Sequence, residues 1–325
     1  MKKKVVLYKD IPDAERLRLE ENFSVIAFNG INDENRAQFL SALENAEGVI
    51  GASHYMGPEV LDHAKKLEAV STISVGTDQF DLEYLASRNV PLMHTPSVLT
   101  ETTADTVFML IMCAARRAVE LSNMVREGRW NTSIGKEHYG VDVNGKTLGI
   151  IGMGRIGYAV ARRAHLGFNM NIQYYNQACN EKAEQDLKAN RVSLEELLKT
   201  SDFICVMVPL TKETEKLIGE HEFGLMKETA IFINGSRGRV VDEQALIKAL
   251  TNGTICAAGL DVFEVEPLPA DSPLCQLDNA VVFPHIGSAT KETRLNMVIC
   301  AVDNLISALN RDTSTNCANA QLLSH

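Results

Sequence analysis

The chain has 325 residues, and its 45% apolar and 23% charged fractions are typical of a folded globular protein, which excludes a disordered or fibrous one. This length favours two domains over a single core. A net charge of −10 without a long basic run argues against nucleic acid as a partner, so an anionic ligand requires a local positive site.

The N-terminus and the cysteines carry no signal for export or for a membrane. The basic start, Met1–Lys4, is followed only by the apolar run Val5–Tyr8, which is too short for a signal peptide. No apolar stretch reaches the roughly 18 residues of a membrane span. The seven cysteines form no C-x-x-C pair, and most lie in apolar runs. We therefore expect a cytoplasmic protein with reduced thiols and no metal.

The first hundred residues alternate between short strand patterns and helical patterns, which is typical of a doubly wound α/β domain. Strands are expected at Lys4–Tyr8, Ser24–Phe28, Gly48–Gly51, Ala69–Ser74 and Pro91–His94. The helical patterns between them include Asp13–Asn22 and Glu34–Ala46.

A long helical pattern from about Thr102 to Gly128 comes next, and it is too long for a simple crossover. We expect it to bridge two domains or to pack against another subunit. The buried strand Thr147–Ile151 then leads into a glycine-rich turn and a helix over Tyr158–Leu166. Later strands are expected at Asn171–Tyr175, Phe203–Val208, Ala230–Asn234, Ala257–Leu260 and Ala280–Phe283.

The last forty residues contain one strong helical pattern, about Thr290–Asn310, and no further strand. Because such a tail cannot form its own core, we expect it to return and pack on the first domain. The predicted domains are therefore residues 1–101 with 288–325, and residues 102–287. Each is predicted to be a doubly wound parallel sheet, which makes the fold class α/β.

The turn Gly152–Gly157 matches the pattern G-x-G-x-x-G in the context that dinucleotide binding requires, between an apolar strand and a helix. Gly152 permits the tight turn, Gly154 lets a pyrophosphate approach the backbone, and Gly157 lets helix and strand pack closely. The first helical amides, those of Arg155 and Ile156, would then face the phosphates.

The strand after this turn should end in an acidic residue if the ribose 2′-hydroxyl of NAD is bound there. Instead, Asn176 stands in the carboxylate-free segment Tyr175–Ala178. The segment contains no arginine for the 2′-phosphate of NADP, and Lys182 is several residues away. The choice between NAD and NADP therefore stays open.

Three polar residues, Arg237, Glu266 and His285, each follow a predicted strand. Ligands of open α/β sheets bind beyond the carboxyl ends of the strands, so these side chains are candidates for one site. A guanidinium binds carboxylate or carbonyl oxygens, a histidine delivers a proton near neutral pH, and a carboxylate orients the imidazole. This set is sufficient to reduce a ketone.

These segments, together with Ser74–Asp78, His94–Asp105 and Val208–Thr214, resemble the D-isomer-specific 2-hydroxyacid dehydrogenase family over nearly the whole chain. The resemblance implies a Rossmann dinucleotide-binding domain inserted into a flavodoxin-like substrate domain. It further implies an active site in the cleft between them and a homodimer formed through the dinucleotide-binding domain.

The same resemblance assigns roles to individual residues. Arg237, Glu266 and His285 would be catalytic, with Glu266 rather than Glu264 as the acid because it directly precedes a proline. The substrate carboxylate would be received by Arg237 and the backbone amides of Val75 and Gly76. Beyond the glycine turn and Asn176, the residues expected around the cofactor are Thr103, Pro209, Thr214, Gly235, Ser236 and Asp261.

The implied activity is NADPH- or NADH-dependent reduction of small anionic 2-oxo acids, such as glyoxylate, hydroxypyruvate and 2-keto-gluconate, to D-2-hydroxy acids. Two departures from the family pattern bear on specificity: Tyr175–Ala178 lacks the arginines that often bind a 2′-phosphate, and Thr77 stands where an aromatic residue is common. The alternatives are a phosphoglycerate dehydrogenase-like enzyme and a dinucleotide-sensing scaffold like the family's corepressors.

Overall fold

The computed structural model describes residues 2–323, and the chain separates into two compact units. The first unit combines Met1–Leu99 with Thr290–His325, and the second unit is Thr100–Ala289. Each unit is built on a parallel sheet with helices, which confirms the predicted α/β class.

Most elements are short, and their bounds in chain order are as follows. The strands are β1 (Lys4–Leu7), β2 (Ser24–Ala27), β3 (Gly48–Gly51), β4 (Ala69–Thr72), β5 (Leu92–Met93), β6 (Thr147–Ile151), β7 (Asn171–Tyr175), β8 (Asn190–Arg191), β9 (Phe203–Val206), β10 (Ile231–Asn234), β11 (Ala257–Leu260) and β12 (Ala280–Val282). The helices are α1 (Asp13–Asn22), α2 (Arg36–Leu43), α3 (Pro58–Leu61), α4 (Leu82–Ser87), α5 (Thr100–Ala115), α6 (Ala118–Arg126), α7 (Arg155–Phe168), α8 (Glu181–Leu187), α9 (Leu194–Thr200), α10 (Glu220–Leu225), α11 (Glu243–Thr251) and α12 (Lys291–Leu309).

The first unit has the strand order β2-β1-β3-β4-β5, which is the flavodoxin-like order. Helix α12 returns to this sheet, where Ser71 Oγ donates to the Ala301 carbonyl at 2.8 Å. Beyond α12, Cys317 forms an antiparallel bridge with Met93 of β5. The C-terminal segment therefore covers the edge of the sheet that β5 would otherwise expose.

The second unit has the strand order β12-β11-β10-β9-β6-β7-β8, with every pair parallel. From β8 to β11 this is the Rossmann order, extended by β12. The order of strands reverses between β6 and β9, and ligands of such sheets bind at the carboxyl ends beside this switch point. The glycine turn follows β6, so it lies at that position.

The prediction of one helix over Thr102–Gly128 is wrong, because α5 and α6 are separate helices. The carbonyl of Ala115 accepts a hydrogen bond of 2.8 Å from the N–H of Val141. Arg117 then takes a left-handed backbone conformation with φ +51°, which ends regular helix. A loop amide from more distant sequence therefore interrupts a locally favourable helical pattern.

No helix within residues 2–323 combines the length and the apolar character needed to cross a bilayer. Over the same residues, no three histidine, cysteine or acidic side chains come together as a metal site would require.

Candidate active site

The glycine turn at the start of α7 is tightly packed at its two ends and open at its centre. Gly152 has φ +103°, and a Cβ added there would lie 2.8 Å from the carbonyl carbon of Met207. A Cβ on Gly157 would lie 2.3 Å from the Gly152 oxygen, whereas one on Gly154 meets no atom within 4 Å. The turn therefore excludes side chains at its two ends and leaves open space at its centre.

The amides around this opening suit an anion. The first hydrogen bond of α7 runs from the N–H of Tyr158 to the Gly154 carbonyl at 2.9 Å. The N–H groups of Arg155, Ile156 and Gly157 precede that bond and have no carbonyl acceptor in the helix. Amides at a helix N-terminus favour a pyrophosphate, so these residues fit a bound dinucleotide.

The strand end after β7 is tied to the glycine turn by side chains. Asn176 Oδ1 accepts a hydrogen bond of 3.0 Å from the N–H of Met153, and Asn180 Nδ2 donates to the Met153 carbonyl at 2.8 Å. Sequence reasoning found no arginine at this strand end, and the structure corrects that conclusion. The Arg191 guanidinium donates to the carbonyls of Asn176 and Gln177, at 3.0 and 2.6 Å from Nη2.

The loop that carries Arg237 is organised by Asn234, a buried residue at the end of β10 that sequence reasoning did not single out. Asn234 Oδ1 accepts from Ser236 N–H and Oγ at 3.1 and 2.9 Å, and Asn234 Nδ2 donates to the Arg237 carbonyl at 3.0 Å. A Cβ on Gly235 would lie 2.4 Å from Val107 Cγ2. The turn from Gly235 to Arg237 is therefore held by hydrogen bonds to Asn234 and by the close approach of Gly235 to Val107.

Glu266 and His285 form a hydrogen-bonded pair, with 2.7 Å between Glu266 Oε2 and His285 Nδ1. The other carboxylate oxygen accepts from the Phe263 N–H at 3.0 Å. An ionised carboxylate only accepts hydrogen bonds, so the imidazole carries its proton on Nδ1. The imidazole is 48% exposed, and its Nε2 has no hydrogen-bond partner among the described residues.

The pKa of Glu266 reflects opposing influences. Burial raises the pKa of the carboxyl, but the hydrogen bonds from His285 and Phe263 lower it, and so do the charges of His285 and Arg237. Together these influences lower the pKa of Glu266, which favours the carboxylate form that orients the imidazole. The charge of Arg237 therefore reaches Glu266, which itself contacts His285.

His285 lies in a turn that needs support. Its φ is +52°, a left-handed conformation that costs a non-glycine residue roughly 1–2 kcal/mol. The carboxylate of Asp261 accepts hydrogen bonds from the next two amides, Ile286 N at 2.7 Å and Gly287 N at 2.8 Å. Burial raises the pKa of Asp261, although these two hydrogen bonds lower it.

Glu264 has a different environment from Glu266. Its backbone N–H donates to Glu243 Oε2 at 3.0 Å, and its Oε1 accepts from the Glu243 N–H at 3.2 Å. This reciprocal pair joins the loop after β11 to the start of α11. Of the two acids, Glu266 is therefore the one that contacts His285.

The remaining predicted cofactor residues lie in two small groups. Thr214 Oγ1 donates to the Pro209 carbonyl at 2.6 Å and closes the loop after β9. Thr103, at the start of α5, lies beside Asp261 and Gly287, since a Cβ on Gly287 would be 3.1 Å from Asp261 Oδ2 and 3.3 Å from Thr103 Cγ2.

The predicted substrate-binding loop belongs to the first unit. Val75 and Gly76 follow β4, and the Val75 carbonyl lies 3.0 Å from His94 Nδ1. The His94 backbone is itself held, because its carbonyl accepts from Asn304 Nδ2 at 2.8 Å and its N–H donates to Asn316 O at 3.0 Å. His94 was noticed only as part of a motif, and its role in fixing this loop required the tertiary structure.

Comparison with known proteins agrees with this geometry. Residues 108–287 match the family model described as D-isomer specific 2-hydroxyacid dehydrogenase, NAD binding domain. A glyoxylate/hydroxypyruvate reductase B of Yersinia enterocolitica is 53% identical over 323 residues, covering 99% of each chain. The predicted family and the predicted dinucleotide-binding domain are confirmed.

Two solved structures carry the same fold with ligands. An NADPH-dependent glyoxylate/hydroxypyruvate reductase from Sinorhizobium meliloti, in complex with NADP and malonate, is 30% identical with a TM-score of 0.83 over 94% of this chain and 93% of its own. A D-lactate dehydrogenase from Aquifex aeolicus, in complex with NAD and lactic acid, is 27% identical with a TM-score of 0.86 over 97% of this chain and 99% of its own. These relatives use different dinucleotides, so the likeness alone leaves the choice of cofactor open.

Proposed function

The chain belongs to the D-isomer-specific 2-hydroxyacid dehydrogenase family, and we propose that it reduces glyoxylate and hydroxypyruvate to 2-hydroxy acids with NADPH or NADH. The observation that carries this proposal is the 2.7 Å pair of Glu266 and His285. Glu266 follows β11 and His285 follows β12. In the sheet, β11 lies next to β10, and the loop after β10 carries Arg237. An acid–base pair and a guanidinium thus share one edge of a dinucleotide-binding sheet.

The dinucleotide fits the opening at Gly154 and the free amides of α7, and when bound in its reduced form it supplies a hydride to the carbonyl carbon. Arg237 binds the carboxylate and the carbonyl oxygen, which polarises the carbonyl. His285 delivers a proton from Nε2 to the same oxygen, because Nδ1 is occupied by Glu266. Glu266 holds the ring in that orientation by accepting the hydrogen bond from Nδ1.

Arg237 receives the substrate carboxylate, and a contribution from the backbone amides of Val75 and Gly76 stays a prediction. Backbone amides suit a small carboxylate of either substrate, since they recognise the acid group and leave the rest of the molecule unspecified. 2-Keto-gluconate, a much longer substrate, stays a prediction, and so does a cytoplasmic location.

A rate matrix tests the activity. Glyoxylate, hydroxypyruvate, 2-keto-gluconate and 3-phosphohydroxypyruvate are each assayed with NADPH and NADH by the loss of absorbance of the reduced cofactor. We expect glyoxylate and hydroxypyruvate to give the highest kcat/KM. A clear preference for the phosphorylated acid would favour phosphoglycerate dehydrogenase, and tight dinucleotide binding without any turnover would favour a sensing scaffold.

We also propose that the protein is a homodimer formed through its dinucleotide-binding unit. Large apolar side chains are exposed on α6 and the segment after it, including Val125 (53%), Trp130 (59%) and Tyr139 (63%). An exposed apolar group of this size is typical of an interface between subunits. Sedimentation equilibrium should give twice the chain mass of 35.8 kDa, and a mass of one chain at micromolar concentration would contradict the proposal.

A further inference from the structure

Resting on the proposed use of a nicotinamide dinucleotide, we propose that Arg191 binds the 2′-phosphate of NADPH and that the protein therefore binds NADPH more tightly than NADH. Arg191 stands outside the glycine motif and outside the segment Tyr175–Ala178, where the ribose-binding residue is expected. Strand β8, which pairs with β7 in the sheet, places Arg191 next to that segment.

The position of Arg191 follows from the sheet. Strand β8 lies beside β7, with Arg191 in register with Tyr174, so Arg191 ends its strand next to the end of β7. There its guanidinium hydrogen-bonds to backbone oxygens, with Nε and Nη2 at 3.2 and 3.0 Å from Asn176 O and Nη2 at 2.6 Å from Gln177 O. In Rossmann domains the end of the second strand reads the adenosine ribose. A fixed positive charge therefore lies at the ribose end of the site.

The polar groups that stay available to a ligand at the end of β7 are hydrogen-bond donors. Arg191 is exposed, and its Nη1 has no hydrogen-bond partner among the residues that the structure describes. Asn176 has its Oδ1 occupied by the Met153 N–H, which leaves its Nδ2 as a donor. Recognition of the 2′-hydroxyl of NADH by a carboxylate uses a hydrogen-bond acceptor of the protein. The 2′-phosphate of NADPH instead brings acceptor oxygens and negative charge, so it requires donors from the protein. The donors fit the phosphate.

The charged groups around Arg191 do not remove this positive charge. Glu184 of α8 is an acid on which the charge of Arg191 acts. Hydrogen bonds from Tyr174 Oη at 2.7 Å and Cys179 Sγ at 3.2 Å lower the pKa of Glu184, and the charge of Arg191 lowers it further. Lys182 lies 4.9 Å from the centre of the Tyr158 ring. Arg191 is thus the cation that touches the strand end itself.

Direct binding tests the proposal without turnover. NADPH and NADH are titrated into the full-length wild type and into Arg191→Gln by calorimetry, in the absence of a 2-oxo acid. Loss of a charged hydrogen bond to phosphate should raise the Kd for NADPH roughly 10- to 100-fold, with little change for NADH. As a matched control, Arg162→Gln removes a partly exposed arginine that pairs with Glu101 on the same unit, and neither Kd should change.

A second variant separates recognition from a structural tie. Gln177→Glu keeps the carbonyl that Arg191 binds and adds a negative charge beside it, so it should also weaken NADPH selectively. If Arg191→Gln weakens both cofactors equally, Arg191 only braces the strand end and the proposal is wrong. It is equally wrong if the wild type binds NADH more tightly. Failure of the wild type to bind either dinucleotide would instead contradict the proposed function.

Discussion

The glycine turn after β6 and the turn around His285 after β12, called the histidine turn below, share one backbone requirement and meet it differently. Both place left-handed backbone at the carboxyl edge of one sheet, with φ +103° at Gly152 and φ +52° at His285. The first turn uses glycine, which adopts this conformation without steric cost. The second keeps a functional side chain there, and hydrogen bonds to Asp261 and Glu266 hold it.

This difference predicts what each turn tolerates. The glycine turn is defined by space, so an added methyl group should damage it. The histidine turn is defined by hydrogen bonds, so exchanging an oxygen for a nitrogen should damage it even at constant volume. The expected effects below run from the largest to the smallest.

Replacing His285 by Gln should have the largest effect. Turnover should fall roughly 10²- to 10⁴-fold if His285 is the proton donor, because glutamine has no comparable acidic proton. Steady-state kinetics with glyoxylate measures this loss, and the Kd for NADPH should stay unchanged because the glycine turn is intact. A loss of less than about tenfold would reduce His285 to a structural residue.

Two alanine substitutions in the glycine turn should separate folding from binding. Gly157→Ala places a methyl group 2.3 Å from the Gly152 oxygen and should lower the free energy of unfolding by about 1–3 kcal/mol. Gly154→Ala places its methyl group in open space, so stability should be retained while dinucleotide affinity falls. Urea unfolding and dinucleotide titration distinguish the two. Equal stability losses would contradict this division.

Asp261→Asn tests the histidine turn at constant volume. The side-chain nitrogen of asparagine cannot accept a hydrogen bond, so either the Ile286 N–H or the Gly287 N–H loses its partner, which should cost about 1–3 kcal/mol. Turnover should fall with it. The matched control is Asp242→Asn at the start of α11, where the side chain accepts from the Ala245 N–H at 3.1 Å. Asparagine caps a helix about as well as aspartate, so that variant should lose well under about 1 kcal/mol with turnover unchanged. Comparable turnover losses would argue against a special role for Asp261.

The same contrast explains what sequence alone could predict. The glycine turn was readable because its three constraints lie within six residues, next to a strand and a helix. The segment around Arg191 was not, because β8 has only two residues, both polar and exposed, and its contact with Asn176 depends on strand order. The break after Ala115 was missed for a similar reason, since the amide that causes it belongs to Val141.

The candidate catalytic residues could be predicted from the sequence only in part. Their positions after successive strands predicted one shared edge, and the family resemblance favoured Glu266 over Glu264. The sequence could not indicate that Asn234 would organise the Arg237 loop or that Asp261 would hold the two amides after His285. Both effects come from buried polar side chains, which a hydrophobic pattern does not distinguish from ordinary strand ends.

The smallest predicted effect concerns pH and the Glu266 carboxyl. Its pKa is lowered in the folded protein, so its ionised form stabilises the fold above the unfolded value of about 4.3, and that contribution disappears as the pH falls through the folded-state pKa. The stability difference between the wild type and Glu266→Gln should therefore be largest near neutral pH and shrink below about pH 4.

Turnover of the same variant tests the orientation of the imidazole. Without a carboxylate 2.7 Å from Nδ1, the ring loses the charged acceptor that holds it, so kcat at neutral pH should fall below that of the wild type. Glu264→Gln supplies the control, since Glu264 contacts Glu243 and should leave kcat unchanged. If both variants lower kcat alike, the effect is general charge loss, and the histidine turn does not depend on Glu266 in the way its hydrogen bonds indicate.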